Sequence, residues 1–193
     1  MSEEAALVER LRAGDEEAFA ALVREYHRPL LRVATSVVGS PNVAAEVVQD
    51  TWLAVVRGLE RFEGRSTFKT WLFHILLNRA KTAAARERRT DTLDADVLSE
   101  RFDASGAWSV PPEPWSDRVD ERLTAQTLAP RARALIDDLP DTQRQVVLLR
   151  DVEGLSASEV SSLLGITDGN QRVLLHRARA RVRAGLEAEV GRP

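Results

Sequence analysis

The chain has 193 residues, of which 44% are hydrophobic, and its formal net charge at pH 7 is −3. This length suits one ordinary domain or two small ones, and the apolar content is sufficient to bury a core. Cysteine is absent, which excludes disulfides and thiolate metal sites and fits a reducing compartment. No apolar run of about 18 residues occurs, and the acidic N-terminus is unlike a signal peptide, so we expect no membrane insertion and a cytoplasmic location.

The first block, residues 1–89, has the spacing of amphipathic helices. Apolar residues recur every three or four positions in 18–39, which predicts a helix. A second helix follows, with Ser40 as N-cap, Pro41 at its first position and Gly58 in its last turns. A third helix runs through residues 66–89. Its apolar stripe is more typical of a core than of a stacking platform and consists of Phe68, Trp71, Leu72, Ile75 and Leu76.

Residues 90–130 differ from their surroundings, since helical periodicity is lost and three prolines fall between 111 and 114. Between 90 and 121 there are nine acidic residues and two arginines. This composition predicts an acidic, partly extended linker.

Helical spacing returns from about residue 131 to residue 190. A helix is predicted to end near Gly154, and a short helix follows with a capping box of Ser156 and Glu159 and an end at Gly165. Thr167 is the predicted N-cap of the last helix. No strand-like alternation occurs, so we predict an all-α chain with helical domains at 1–89 and 131–193.

A short helix, a glycine turn and an arginine-rich helix make a helix-turn-helix pattern. From 172 to 183 there are five arginines, one histidine and no acid. On a helical wheel, one side can pack and contains Gln171, Leu175, Ala178, Val182 and Leu186. The other side suits a major groove, with Asn170, Arg172, Val173 and His176 at base edges and Arg177, Arg179 and Arg181 at phosphates. The alternative is a solvated basic face on a C-terminal helix.

A second basic segment, residues 65–89, has seven lysines and arginines against one acid, Glu87. Threonine, asparagine and aromatic residues are interleaved with these charges. Two basic helical modules on either side of an acidic tether indicate two separate contacts on one nucleic acid.

Three segments together carry a resemblance to a known family: "GDEEAFAALVREYHRPLLRVATSVVG", "AAEVVQDTWLAVVRGLERFEGRSTFKTWLFHILLNRAK" and "LPDTQRQVVLLRDVEGLSASEVSSLLGIT". In order and spacing they resemble the extracytoplasmic-function class of the sigma-70 family, the small two-domain sigma factors of bacterial RNA polymerase. The resemblance covers about residues 14–89 and 133–187. It implies a sigma2-like bundle, a sigma4-like helix-turn-helix domain and a linker that passes through the polymerase.

The resemblance also implies partners and sites. The partners are the RNA polymerase core, through the clamp of its largest subunit, promoter DNA and an anti-sigma factor. The residues that the resemblance assigns to contact with the clamp are Glu46, Gln49, Asp50, Trp52 and Leu53. The resemblance assigns capture of the unpaired minus-ten strand to Gly64, Arg65, Ser66, Thr67, Lys69, Thr70, His74 and Asn78. The resemblance assigns binding of the minus-thirty-five element to the last helix, at Asn170, Gln171, Arg172, Val173, His176, Arg177, Arg179 and Arg181.

The sequence departs from the family pattern in two places. Val47 stands where an acid is common in the clamp-binding helix. In the last helix "GNQRVLL" replaces a commoner segment, so that Gln171 occupies a usually apolar position and Val173 and Leu174 occupy usually polar ones. Two alternatives follow from this: the helix is rotated slightly, or it recognises a different upstream element.

Nothing in the sequence points to catalysis, a metal, a cofactor or a small-molecule substrate. The three histidines are scattered, and no glycine-rich phosphate loop occurs. We therefore expect a binding protein rather than an enzyme. Two alternatives to a sigma factor are a conventional helix-turn-helix regulator whose first block dimerises or senses a signal, and a helical protein that binds a partner.

Overall fold

The computed structural model describes residues 3–91 and 125–190, without the side chains of 88–91, 125–129 and 189–190. Within these ranges the chain is all-α, as predicted, and has no strand. The helices are α1 (Glu3–Arg12), α2 (Glu16–Val38), α3 (Pro41–Gly58), α4 (Phe68–Asp91), α5 (Ala125–Asp137), α6 (Asp141–Val147), α7 (Ala157–Leu164) and α8 (Asp168–Val190). A 3-10 turn, Leu59–Arg61, follows α3, and a π-helical turn, Leu148–Val152, follows α6.

The predicted helix starts are present and are made by side-chain caps. Ser40 Oγ accepts from the Val43 amide at 3.5 Å, and Thr167 Oγ1 accepts from the Asn170 amide at 3.2 Å. Ser156 and Glu159 form the capping box, while Gly165 ends α7 in the left-handed region at φ 71°. Such caps contribute about 1 kcal/mol each, and they depend only on residues close in sequence.

Two elements were not predicted as separate helices. The acidic N-terminal stretch forms α1, which packs Val8 and Leu11 into the core. Helix α5 begins at Ala125, inside the stretch that the sequence assigned to the linker, and its last residues lead into α6. The rest of the predicted linker, 92–124, lies outside the described residues.

Helices α1 to α4 form an N-terminal unit around one apolar core. Leu30, Leu72, Phe73 and Leu76 are fully buried at its centre. The stripe predicted on the third helix is thus core, as its spacing favoured, except that Trp71 and Ile75 remain partly exposed at its edge.

Helices α5 to α8 form a C-terminal unit with a smaller core, made of Leu139, Val146, Val147, Leu175 and Ala178. A second apolar face of this unit joins the core of the N-terminal unit instead; its residues are Leu148, Leu149, Leu155, Val160 and Leu163. Each such side chain contributes about 1.5–3 kcal/mol when its surface leaves water. The two units are therefore docked on each other, with α6 against α2 and α7 against α4; we call this the closed arrangement.

None of the described helices is both long enough and apolar enough to cross a bilayer. Within the same residues, no three histidine, aspartate or glutamate side chains converge as a metal site would require.

Candidate nucleic-acid interface

The outer face of α8 presents most of the predicted groove-facing residues to solvent. Exposed members are Asn170, Arg172, His176, Arg177, Arg179 and Arg181, and Val173 is partly exposed between them. Helix α8 is anchored by its opposite face, where Leu175 and Ala178 pack into the C-terminal core. A rigid helix with cations, an amide and a small apolar group on its free face has the chemistry of a major-groove reader.

Gln171 is a correction to the predicted set. Its side chain is only 1% exposed, so it packs inside the C-terminal unit and faces no groove. Its Nε2 has no hydrogen-bond partner among the described residues. The helical wheel had placed Gln171 on the packing side, and the burial agrees with that placement.

Two of the α8 arginines also bind acceptors within the C-terminal unit. Arg179 makes a bidentate ion pair with Asp151, with Nε at 2.8 Å and Nη2 at 2.6 Å from the carboxylate oxygens. The hydrogen bonds to Asp151 hold the pKa of Arg179 above its usual value. Arg181 Nη1 donates to Gln143 Oε1 at 3.3 Å. These bonds fix where the two guanidinium groups lie beside the helix.

The loop before α4 contains four exposed residues, Gly64, Arg65, Ser66 and Thr67. The loop is held from below by α1, since Arg12 Nη2 donates to the Phe62 carbonyl at 2.6 Å and Glu4 accepts from the backbone amide at the start of α4. The acidic N-terminus thus has a structural role that its composition did not indicate.

An aromatic cluster lies beneath this loop. The ring centroids of Phe62, Phe68 and Trp71 are 5.0 to 5.7 Å apart. Trp71 also lies against Gly58, where an added Cβ would be 3.2 Å from the indole Cζ2. The cluster makes a rigid base for the loop, and the exposed groups above it are hydroxyls, a guanidinium and backbone amides.

The predicted strand-capture residues of α4 fall into two groups. His74 and Asn78 are exposed, and Asn78 Nδ2 is 3.4 Å from His74 Nδ1. Lys69 and Thr70 are partly buried, because the C-terminal unit lies against them. In the closed arrangement, α7 contacts both α4 and α8.

The outer face of α3 carries the residues predicted for clamp contact. Glu46, Gln49, Asp50 and Leu53 are exposed along one stripe, and Leu53 retains 50% of its accessible surface. Val56, which was not predicted, extends the stripe by one turn and is 57% exposed. Val56 could have been predicted from its spacing, because residues three apart on a helix lie on the same face and Val56 is three residues after Leu53.

Trp52 differs from the other four clamp candidates. It is partly buried, and its ring packs edge-on against Phe19 with a centroid distance of 5.8 Å. Trp52 therefore supports α3 from the α2 side as well as bordering the exposed stripe.

Comparison with known proteins follows the same division of the chain. Residues 22–90 match the family model of Sigma-70 region 2, and residues 130–182 match that of Sigma-70, region 4. The ECF RNA polymerase sigma-E factor of Salmonella typhimurium is 33% identical over 175 residues, which cover 90% of this chain and 88% of that protein. The RNA polymerase sigma-H factor of Pseudomonas aeruginosa is 31% identical over 185 residues, covering 94% and 92%.

Two solved structures share the fold. One is the sigma factor RpoE in complex with the anti-sigma factor NepR from Bartonella quintana, with a TM-score of 0.61 and 24% identity over 90% of this chain and 98% of that one. The other is CnrH in complex with the cytosolic domain of CnrY, with a TM-score of 0.58 and 23% identity over 97% and 99%.

Proposed function

Because this chain belongs to the extracytoplasmic-function sigma factors of the sigma-70 family, we propose which of its surfaces perform each step of promoter recognition. As an RNA polymerase sigma factor it binds the polymerase and promoter DNA and acts in transcription initiation. One observation carries the proposal: an exposed arginine face on α8 and an exposed basic and polar edge on α4 belong to two different helical units.

We assign the minus-thirty-five element to α8. Asn170, Arg172, Val173 and His176 lie in the first turns of the helix, where a recognition helix normally reaches base edges. Arg177, Arg179 and Arg181 follow and contact phosphates, which position the helix without reading sequence. Gln171 is left out of this set because it is buried.

We assign capture of the unpaired minus-ten strand to the loop and first turns of α4. A flipped base meets the backbone and hydroxyl groups of 64–67, and Lys69, Thr70, His74 and Asn78 follow the strand. Opening a duplex costs roughly a few kcal/mol per unstacked base step. Binding to the freed bases and phosphates offsets that cost, since cationic and polar side chains suit a single strand.

We assign the polymerase clamp to the α3 stripe of Glu46, Gln49, Asp50 and Leu53, with Val56 added and Trp52 at its edge. Two exposed apolar side chains between acidic and amide groups give the mixed character of a binding surface. We propose residues 1–89 for polymerase and minus-ten binding and 131–193 for minus-thirty-five binding. The linker predicted at 90–130 is shorter at its C-terminal end, because α5 begins at Ala125 and belongs to the C-terminal unit.

The resemblance to complexes with anti-sigma factors supports an anti-sigma factor as a further partner. The chain acts in the cytoplasm with RNA polymerase, and it has no catalytic role, cofactor or small-molecule substrate of its own. The polymerase makes the RNA, and this chain selects where synthesis begins.

Reconstitution with purified core polymerase and genomic DNA tests the proposal. We expect the chain to bind core and to start transcription at a distinct set of promoters. Failure to bind core would overturn it. A stable homodimer that binds duplex operators tightly without polymerase would favour the helix-turn-helix regulator instead.

A further inference from the structure

Helix α1 holds both ends of the loop that we assign to a flipped base. The loop, residues 63–67, is exposed throughout, and we call it the capture loop. Immediately before it, the Phe62 carbonyl accepts a hydrogen bond from Arg12 Nη2 at 2.6 Å. Immediately after it, the Phe68 amide donates to the carboxylate of Glu4. One helix therefore fixes the backbone at the two points where the capture loop leaves and re-enters the fold.

The spacing between these two holding groups is set by α1 itself. Glu4 lies in the first turn and Arg12 is the last residue, so they are about 12 Å apart along the helix axis. Val8 and Leu11, which lie between them, are buried in the N-terminal core and fasten the helix. Arg12 is held a second time, because its Nε donates to the Leu59 carbonyl at 3.3 Å. The two holding groups therefore keep a fixed relative position.

Glu4 also completes the start of α4. The Phe68 amide belongs to the first turn of that helix, whose amides have no carbonyl acceptor within the helix. Thr67 Oγ1 accepts from the Thr70 amide at 3.1 Å, and Glu4 serves the Phe68 amide that Thr67 leaves unpaired. A carboxylate at this end is favoured by the helix dipole as well. The end of the capture loop thus depends on a residue 64 positions earlier in the chain.

The capture loop has few bonds of its own. The backbone amides of Gly64, Arg65 and Ser66 donate to no group within the described part of the chain. Gly64 has a φ of 70°, which a residue with a side chain adopts only with strain. The ion pair between Arg65 and Glu63 is exposed, and surface pairs of this kind contribute little. The shape of the loop therefore depends mainly on its fixed ends.

We propose that Glu4 and Arg12 are positioning residues for strand capture, because they hold the capture loop in the conformation that receives an unpaired base. This inference rests on the proposed function, since the shape of the loop matters only if the loop binds the minus-ten strand. A loop that is ordered in advance loses less conformational entropy when the strand binds. The carboxylate of Glu4 repels phosphate, so its benefit to strand binding comes only through the loop.

The test uses holoenzyme assembled from the full chain and core polymerase, with a promoter obtained from the reconstitution. The promoter is prepared as closed duplex and as a duplex whose minus-ten region is kept unpaired by mismatches. Tighter binding of the mismatched DNA than of the closed duplex reports strand capture. Affinity for closed duplex reports the upstream contact, and affinity for core reports the clamp contact.

Glu4→Ala removes the acceptor and one negative charge. We expect about tenfold weaker binding of the mismatched DNA, because the loop must then be ordered during binding. Binding of closed duplex and of core should be unchanged. Charge alone predicts the opposite sign, since loss of an acid favours DNA binding. Glu3→Ala is the matched control, because it removes the same charge from an exposed position in the same turn, and we expect no weakening.

Two conservative variants separate the hydrogen bonds from the charges. Glu4→Gln keeps an acceptor oxygen, so we expect mismatched-DNA binding within about threefold of wild type. Arg12→Lys keeps the charge but loses the planar fork that reaches the Phe62 and Leu59 carbonyls together, so we expect about fivefold weaker binding. Arg24→Lys, at an exposed position of α2, is the control for Arg12→Lys. Circular dichroism checks that each variant is folded, and Arg12→Lys decides the matter if Glu4→Ala is not.

The positioning role is overturned if Glu4→Ala binds mismatched DNA as tightly as Glu3→Ala does. It is also overturned if the folded variants lose closed-duplex and core binding to the same extent as mismatched-DNA binding. Wild-type holoenzyme separates the two proposals. Wild type that shows no preference for mismatched DNA contradicts the proposed strand capture, whereas a preference that all the variants retain contradicts only the role of α1.

Discussion

Arg179 of α8 and Asp151 of the π-helical turn form a bidentate ion pair, with N–O distances of 2.6 and 2.8 Å. The pair fastens the recognition helix to the turn that precedes α7. It also places a carboxylate beside a guanidinium that we assign to a phosphate. Phosphate and Asp151 therefore compete for the same group.

Replacement of Asp151 by Asn should strengthen binding to duplex DNA by about two- to fivefold at low salt, because Arg179 is then neutralised by phosphate alone. The salt dependence of binding should become steeper. Titration of a labelled duplex at several salt concentrations measures both quantities. Asp138→Asn is the control with the same loss of charge, and equal effects of the two variants would remove Arg179 from the DNA interface.

Arg172→Ala should weaken recognition of the upstream element by about 1–3 kcal/mol, since a guanidinium that pairs with a base edge is lost. Core binding should be unchanged, because Arg172 is not part of the α3 stripe that we assign to the clamp. Promoter-binding and core-binding assays on the same preparation test this separation. An equal fall in both would contradict the division of work between the two units.

Leu53→Asp should abolish or greatly weaken core binding while leaving the thermal stability nearly unchanged. Leu53 is half exposed, so its replacement removes little from the core, but it adds a charge to the proposed clamp surface. Core binding by fluorescence anisotropy and unfolding by circular dichroism measure the two effects. Arg57→Asp, on an exposed position of the same helix, is the comparison.

Gln171→Met should stabilise the protein by about 1 kcal/mol, because a buried amide nitrogen without a partner is replaced by an apolar group of similar volume. DNA binding should not change, since Gln171 is buried. Urea unfolding measures the stability. A less stable variant would mean that the Gln171 amide has a hydrogen-bond partner. Weaker DNA binding would mean that Gln171 contacts DNA after all.

Tyr26, the single tyrosine of the chain, should ionise only in strongly alkaline solution. Burial, followed by the charge of Glu25, raises the pKa of Tyr26 to about 12. Because the folded pKa lies above the unfolded value of about 10, its contribution to stability is complete below pH 10 and is lost as pH rises toward 12. Tyrosinate absorbance follows the titration, and a midpoint near 10 in folded protein would contradict the burial.

Helix ends could be predicted because their causes are local. The Ser156–Glu159 capping box, the Ser40 cap and the glycine at 165 each act over three or four residues. The basic face of α8 could also be predicted from the sequence, since the spacing of charged residues along a helix determines which side is polar. Side-chain contacts over longer separations could not be predicted. Glu4, for example, accepts a hydrogen bond from the backbone amide of Phe68 at the start of α4, and the two residues are 64 positions apart.

The helical class, the helices other than α1 and α5, the caps at Ser40, Ser156 and Thr167 and the two basic segments could be predicted from the amino-acid sequence, because periodicity and capping are properties of neighbouring residues. The sequence placed Gln171 both on the packing side and among the DNA contacts, and its burial in the folded chain resolves that conflict. The position of Glu153 between Arg32 and Lys69 also required the folded chain, because the residues are 121 and 84 positions apart. A glutamate in a solvent-exposed turn and a glutamate between two cations have the same sequence pattern. The packing of one unit on the other distinguishes them, since it removes the carboxylate from water and supplies its partners.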